Sequence, residues 1–233
     1  MPPCGFGNRV LYYYNLRQEA HNLSCEFLCV PWDGHQYFQG DMLGTHEPVQ
    51  GEKFQHLRFC LGEKFFNYNK LSTRDIFKLK VSPVIKDKTC AIHFRGTDFH
   101  KWNPNSILDC QYYLNGIEET KSDVDTYVLF TDDHSLESYS EVEKYLKENN
   151  LNFFLGKNTS DRRNYISDFS IMTECDYIIS SPSTFCISAG FVGKKKKIIH
   201  SKKWVEQRVE ADDKFWMGLQ AGGNENYAAW RIL

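Results

Sequence analysis

The chain has 233 residues, 41% of them hydrophobic and 15% aromatic, enough to bury a core in one large or two small domains. Its 28 basic and 30 acidic side chains leave a formal charge of −2, without the basic surplus that nucleic-acid phosphates demand of a partner. No stretch approaches the roughly 20 apolar residues that span a bilayer, and no basic, then apolar, then small-residue leader opens the sequence. The eight cysteines are scattered with no CxxC pair, which speaks against a zinc site and for buried free thiols in a reducing compartment. Two sequons, at Asn22 and Asn158, weigh only slightly the other way.

In chain order, Cys4-Gly5-Phe6-Gly7-Asn8 reads as a Gly-rich turn entering a helix from Arg9 to Asn22, with Val10, Leu11, Tyr14, Leu16 and Ala20 as its apolar stripe. Cys25 to Val30 predicts a short strand stopped by Pro31. Residues 31–56, rich in Gly, Pro, His and Gln, predict a long loop region of the kind that often carries function. Thr89 to Phe94 predicts a strand, and residues 106–119 a helix. Thr126 to Phe130 predicts the next strand, followed by an amphipathic helix from Ser135 that ends at Asn149. Leu151 to Leu155 is a strand, residues 166–174 a helix, and Tyr177 to Ser180 a buried strand. A helix from Thr184 to Phe191 stops at Gly193, and Lys197 to His200 closes the series. Apolar runs without period-two alternation, separated by helices, predict a parallel, doubly wound α/β sheet. The tail from Trp204 to Leu233 carries three tryptophans and is expected to return to the body.

In open parallel sheets ligands bind beyond the carboxyl ends of the strands. Three polar clusters fall there: His93-Phe94-Arg95-Gly96-Thr97-Asp98, then Thr131-Asp132-Asp133, then Ser180-Ser181-Pro182-Ser183-Thr184 entering a helix. A helix N-terminus with small hydroxyl residues attracts anions, and a strand-end arginine presents a charged fork to a phosphate. Taken singly, Ser183 and Thr184 read as a helix cap, Arg95 as a salt bridge and Asp132-Asp133 as a turn. Their coincidence at successive strand ends points to a diphosphate site.

The segment His93 to Asp98 resembles the HxRxxD motif of the fucosyltransferase superfamily, which includes α-1,2- and α-1,6-fucosyltransferases and protein O-fucosyltransferases. Three more segments resemble that family in the same order: Gly5 to Arg9 its G-x-GN-[QR] loop, Tyr127 to Asp133 its strand ending in TDD, and Ile166 to Phe185 the long motif closing its donor pocket. The resemblance implies a GT-B-like α/β fold with two facing Rossmann-like halves, the N-terminal one reduced. It assigns residues 1–88 to an acceptor-side domain, 89–203 to a nucleotide-sugar-binding domain and 204–233 to a returning tail. It further implies an inverting transferase that generally needs no metal or other cofactor and moves fucose from GDP-fucose to a glycan acceptor. His93 and Asp168 would bind guanine, with Asp132 beside them in the donor site. Arg95 would bind the β-phosphate and stabilise the leaving diphosphate. Ser183 and Thr184 would add donors to the same phosphates, and Gly7 and Asn8 would approach from the opposing domain. Such a chain would be cytoplasmic, or the soluble part of a secretory-pathway enzyme without its anchor.

The sequence departs from the family pattern at Gly96, where a second basic residue is common; Lys101, Arg162 or Arg163 are candidates to compensate. The place of the α-1,6-type base falls near Asn103, which leaves Asp98, His100, Asp33 and Asp41 as candidates for the acceptor-activating base. Another donor (GDP-mannose or UDP-xylose) and a non-catalytic nucleotide- or sugar-binding protein are the alternative readings. Asp123-Val124-Asp125 spells DxD but precedes its strand, so it reads as a solvated turn. The run Lys194 to Lys197, with Lys202 and Lys203, reads first as a solvated face and second as help for an anionic donor. No GxSxG, P-loop or HExxH occurs, which removes the common hydrolase and kinase readings.

Overall fold

A computed structural model of the chain describes residues 5–24, 27, 29, 31–39, 73–85, 87–102, 104–157, 165–193, 195–201 and 230–232. Within them, six strands form one sheet: β1 (Thr89–Phe94), β2 (Thr126–Thr131), β3 (Phe153–Leu155), β4 (Tyr177–Ile179), β5 (Lys197–His200) and β6 (Trp230–Ile232). The spatial order is β3-β2-β1-β4-β5-β6, and every neighbouring pair is parallel. The chain builds outward from β1 to β3, then returns to the other side of β1 for β4, so the order reverses between β1 and β4. All six residues of β1 are buried, which is why its sequence reads as an unbroken apolar run.

Eight helices accompany the sheet among the described residues: α1 (Phe6–Asn22), α2 (Gly34–Tyr37), α3 (Thr73–Ile76), α4 (Phe99–Trp102), α5 (Cys110–Thr120), α6 (Glu137–Glu148), α7 (Tyr165–Glu174) and α8 (Thr184–Val192). Side-chain alternation along the strands divides the interior in two. Ala91, Val128, Phe130, Ile178 and Ile198 share one core with α1, α7, α8 and aromatic residues of the first 38 positions. Cys90, Ile92, Leu129, Ile179 and Ile199 share the other with α5 and α6. Helices therefore cover both faces, as the sequence predicts for a doubly wound α/β sheet.

Several boundaries move for local reasons. The helix expected from residue 106 is a short 3₁₀ turn (Pro104–Ser106) and then α5, because Asp109 is extended and its carboxylate caps Tyr112 N at 3.0 Å. α6 stops where expected: Asn150 takes a positive φ of 53°, and Leu151 N closes the end on Leu146 O. The turn expected at Cys4–Asn8 is a correction of a different kind, since α1 already begins at Phe6. Within residues 5–39 and 73–85 the remaining described structure is α2, α3 and one antiparallel bridge between Phe38 and Leu79. Of the strand expected at residues 25–30 only Phe27 and Cys29 are described, and most of the loop expected at 31–56 lies outside the described residues, as do Trp204 and Trp216. Cys90, Cys110, Cys175 and Cys186 are free thiols, three of them buried. Among the described residues no helix is long and apolar enough to cross a membrane.

Candidate functional site

In open parallel sheets the ligand crevice lies at the carboxyl ends of the strands where their order reverses, here between β1 and β4, and His93 lies next to the end of β1. Its ring is 6% exposed, and Nδ1 lies 2.7 Å from Ser181 Oγ at the end of β4. Ser181 N donates to His93 O at 3.1 Å, so backbone and side chain tie the two strand ends together. Burial, reinforced by the Arg95 charge and opposed by Asp132, pushes the imidazole down to about 4, so His93 is neutral at physiological pH. One strand further, Ser180 Oγ makes the same 2.6 Å contact with Nδ1 of the buried His200. Burial holds that ring down to about 3.

Arg95 leaves β1 and is only partly exposed. Its guanidinium pairs with Asp132 Oδ2, sits 2.7 Å from Asp98 Oδ1 and lies over the Phe99 ring at 5.4 Å. Asp132 organises the loop: Oδ1 accepts Gly96 N at 2.8 Å and Oδ2 accepts Thr97 Oγ1 at 2.7 Å. Asp98 is 60% exposed and serves as the second counter-ion of Arg95. The neighbouring Asp133 takes His100 Nε2 at 3.0 Å and Ser135 Oγ at 2.6 Å. These bonds hold its carboxyl below the usual range, the serine contribution being the largest. A Cβ at Gly96 would lie 2.6 Å from Asp133 Cβ, which explains why no second basic side chain follows Arg95 here. Of the residues considered as substitutes, Lys101 is exposed, and Arg162 and Arg163 lie outside the described residues.

Ser183 is the N-cap of α8, and its buried side chain makes no capping bond to the helix. Thr184 opens the first turn. A Cβ on Gly7 would meet the Thr184 carbonyl carbon and the Phe185 nitrogen at 2.5 Å, so only glycine lets the start of α1 rest on the start of α8. Gly7 and Asn8 thus reach the site as the first turn of a helix packed in the same core, where a loop from a facing domain was expected. The Phe185 ring stands 6.0 Å from His93. Asp168, expected beside guanine, is buried on α7; its Oδ1 accepts Lys157 N at 2.8 Å, and Gly156 fits between it and Phe130. Phe130 is the β2 partner of His93, which places Asp168 one strand outward from the crevice.

A second polar group lies on the α1 side. Asp33 Oδ2 accepts both Arg9 Nη2 and Tyr165 Oη at 2.7 Å. Burial, then the Asp33 carboxylate, pushes the Tyr165 hydroxyl well above its ordinary value. Tyr165 stands 6.3 Å from Phe185 between ring centroids, which links this group to the start of α8. Asp41, the remaining candidate base, and Asn103 lie outside the described residues.

The amino edge of the sheet is different. Asp123 and Asp125 are exposed before β2, and Asp125 Oδ2 accepts Lys88 N at 3.1 Å. Lys195, read in sequence as part of a solvated face, is 6% exposed; Nζ donates to the carbonyls of Met172, Thr173 and Cys175 at 2.5–2.7 Å and closes the end of α7. That is a correction: the unmet carbonyls of a helix end draw the ammonium inward. Among the described residues no group of three or more His, Cys, Asp or Glu side chains is placed to hold a metal ion.

Of the residues singled out in sequence, the structure brings His93, Arg95, Asp98, Asp132, Gly7, Ser183 and Thr184 to the crevice and its rim. Ser181 and Tyr165 were missed as individual site residues. The signal for Ser181 was available in the pairing of β1 with β4, whereas Tyr165 is recognisable only from the fold. No protein-family model matches the chain, and no curated protein matches it in sequence.

Proposed function

We propose that this protein is an inverting glycosyltransferase of the fucosyltransferase-like type, taking a nucleotide-sugar donor of which GDP-fucose fits the motifs best. One observation carries the reading: segments far apart in sequence, each resembling a different motif of that family, converge on one crevice. His93 bonds Ser181, Arg95 bonds Asp132, and Gly7 rests on Thr184. A family-like string at one place can arise by chance; joint assembly at the switch point of a parallel sheet is the arrangement that donor binding requires.

In this reading Arg95 and the free backbone N–H groups at the start of α8 meet the charge that develops on the departing diphosphate. Asp132 fixes the loop and keeps the guanidinium pointed along the strand end. Neutral His93, its orientation set by Ser181, offers its other ring nitrogen to the base. Asp98 shares Arg95 in the free protein and must yield part of that contact to a phosphate. The GT-B-like arrangement of two halves, the acceptor and the linkage belong to the same proposal.

Calorimetric titration with GDP, UDP and ADP, without added metal, tests it. Selective micromolar binding of GDP that falls at least about 100-fold in Arg95→Ala is the expected result, since two charge-assisted bonds are removed. The variant should melt within a few degrees of wild type, because Arg95 belongs to neither core. A preference for UDP would overturn the donor, and no binding to any nucleotide would overturn the function.

A further inference from the structure

Asp33 stands at the N-cap of α2 yet does not cap it: its backbone is in the helical region, and its side chain makes no bond to the helix. The stabilisation that a capping aspartate gives a helix start is forgone here. The carboxylate turns away to Arg9 on α1 and Tyr165 on α7, both of which hold the same oxygen, Oδ2. The other oxygen, Oδ1, is buried and has no hydrogen-bond partner among the described residues. Arg9 Nε and Trp32 Nε1, on the residues to either side of this contact, are likewise buried without partners among the described residues. A buried acceptor oxygen and buried N–H donors without partners are costly to keep unless something completes them. Sugar hydroxyls, each both donor and acceptor, suit such a set.

The location agrees. Arg9 lies two residues beyond Gly7, which rests on the start of α8, and Tyr165 lies 6.3 Å from Phe185. The carboxylate is therefore attached directly to the elements that frame the diphosphate site. Tyr37, 6.3 Å from the Tyr165 ring, continues outward as one wall of a cleft of about 330 Å³ that Ile166 and Ser170 also line.

We infer that Asp33 is the sugar-recognising carboxylate of this site, with Oδ1 accepting the O–H of a sugar hydroxyl. The inference rests on the transferase reading above. The hydroxyl belongs either to the donor sugar or to the acceptor. If it is the acceptor's, its proton passes to Oδ1 while its oxygen bonds the anomeric carbon. The carbon–oxygen bond to the β-phosphate breaks, and GDP leaves with that electron pair beside Arg95.

The experiment titrates GDP and GDP-fucose into wild type and Asp33→Asn, and follows GDP release from GDP-fucose with water as acceptor. A donor hydroxyl predicts that GDP-fucose binds wild type about tenfold more tightly than GDP, and that Asp33→Asn, whose amide oxygen stays with the donors Arg9 and Tyr165 and whose –NH2 replaces the accepting Oδ1, erases the difference without changing GDP affinity. An acceptor hydroxyl predicts unchanged affinities and GDP release at least about 100-fold slower in the variant. Equal behaviour of the two proteins in both measurements overturns the inference, and so does an equal loss of GDP and GDP-fucose affinity, which would make Asp33 a structural residue. Should Asp33→Asn not fold, Tyr165→Phe decides: it frees one hold on Oδ2 and should move the same readout less, whereas no change overturns the inference. Failure of wild type to bind GDP at all would instead strike the transferase reading itself.

Discussion

The two edges of the sheet carry similar residue types and put them to different uses. At the amino edge each charged group serves the nearest strand or helix end. Asp125 takes Lys88 N, Asp176 takes Thr89 N and Lys196, and Lys195 closes α7. At the carboxyl edge Asp132 also binds backbone, but it pairs with the Arg95 guanidinium as well, and His93 bonds Ser181 between the ends of β1 and β4. Direction along the strands separates the two: parallel strands all end on one side, so loops and helix N-termini gather there. In the proposed reading a carboxylate at the amino end serves the fold and one at the carboxyl end serves the donor site as well.

If the comparison holds, the stability that the carboxyl edge contributes should fall in mild acid. His93 and His200 are held to about 4 and about 3 by burial, against 6.5 in the unfolded chain. Below pH 6.5 the unfolded state takes up the protons first, so the stability that both rings contribute is complete above 6.5 and is lost as pH falls towards 4. Urea unfolding between pH 7 and pH 5 should show a slope approaching about 2.7 kcal/mol per pH unit, two protons' worth. His200→Gln should halve it. A flat profile over this interval would mean that neither histidine is buried as described.

Lys195 sharpens the comparison from the other side. Lys195→Met keeps the stem but leaves three helix-end carbonyls without their donor. The expected loss is about 2–4 kcal/mol in urea unfolding. GDP affinity of the folded variant should match wild type, since the ammonium sits before β5, at the edge away from the crevice. Nucleotide binding that falls with stability unchanged would reverse the assignment of the two edges.

Much of the sheet is legible in sequence because its strands are buried on both faces, so Cys90-Ala91-Ile92 and Val128-Leu129-Phe130 read as uninterrupted apolar runs. The stop of α6 is legible for a local reason, the left-handed Asn150. What escapes is tertiary in origin. Gly7 reads as a turn residue, yet it is helical and conserves space against the backbone of α8. Lys195 hides within four consecutive lysines, and only the open end of α7 singles it out. Asp33 stands in sequence as one of four possible bases; its partners Arg9 and Tyr165 lie 24 and 132 residues away, a separation no local pattern encodes.

The smallest effect is expected at the sequence that most resembles a metal motif. Asp123 and Asp125 precede β2 and are exposed, and Asp125 Oδ2 accepts the backbone N–H of Lys88, at the entrance of β1. Replacing both by asparagine should cost no more than about 1 kcal/mol, since the amide oxygen can still accept that bond. GDP affinity should be the same for the double variant and for wild type, with or without chelator. The physical reason is distance along the strand: five residues at about 3.3 Å each separate Thr126 from Thr131, so these carboxylates sit a whole strand length from Asp132 and Arg95. Chelator-sensitive binding that disappears in the double variant would show that a cation at the amino edge controls the site, and the division between the two edges would fail with it.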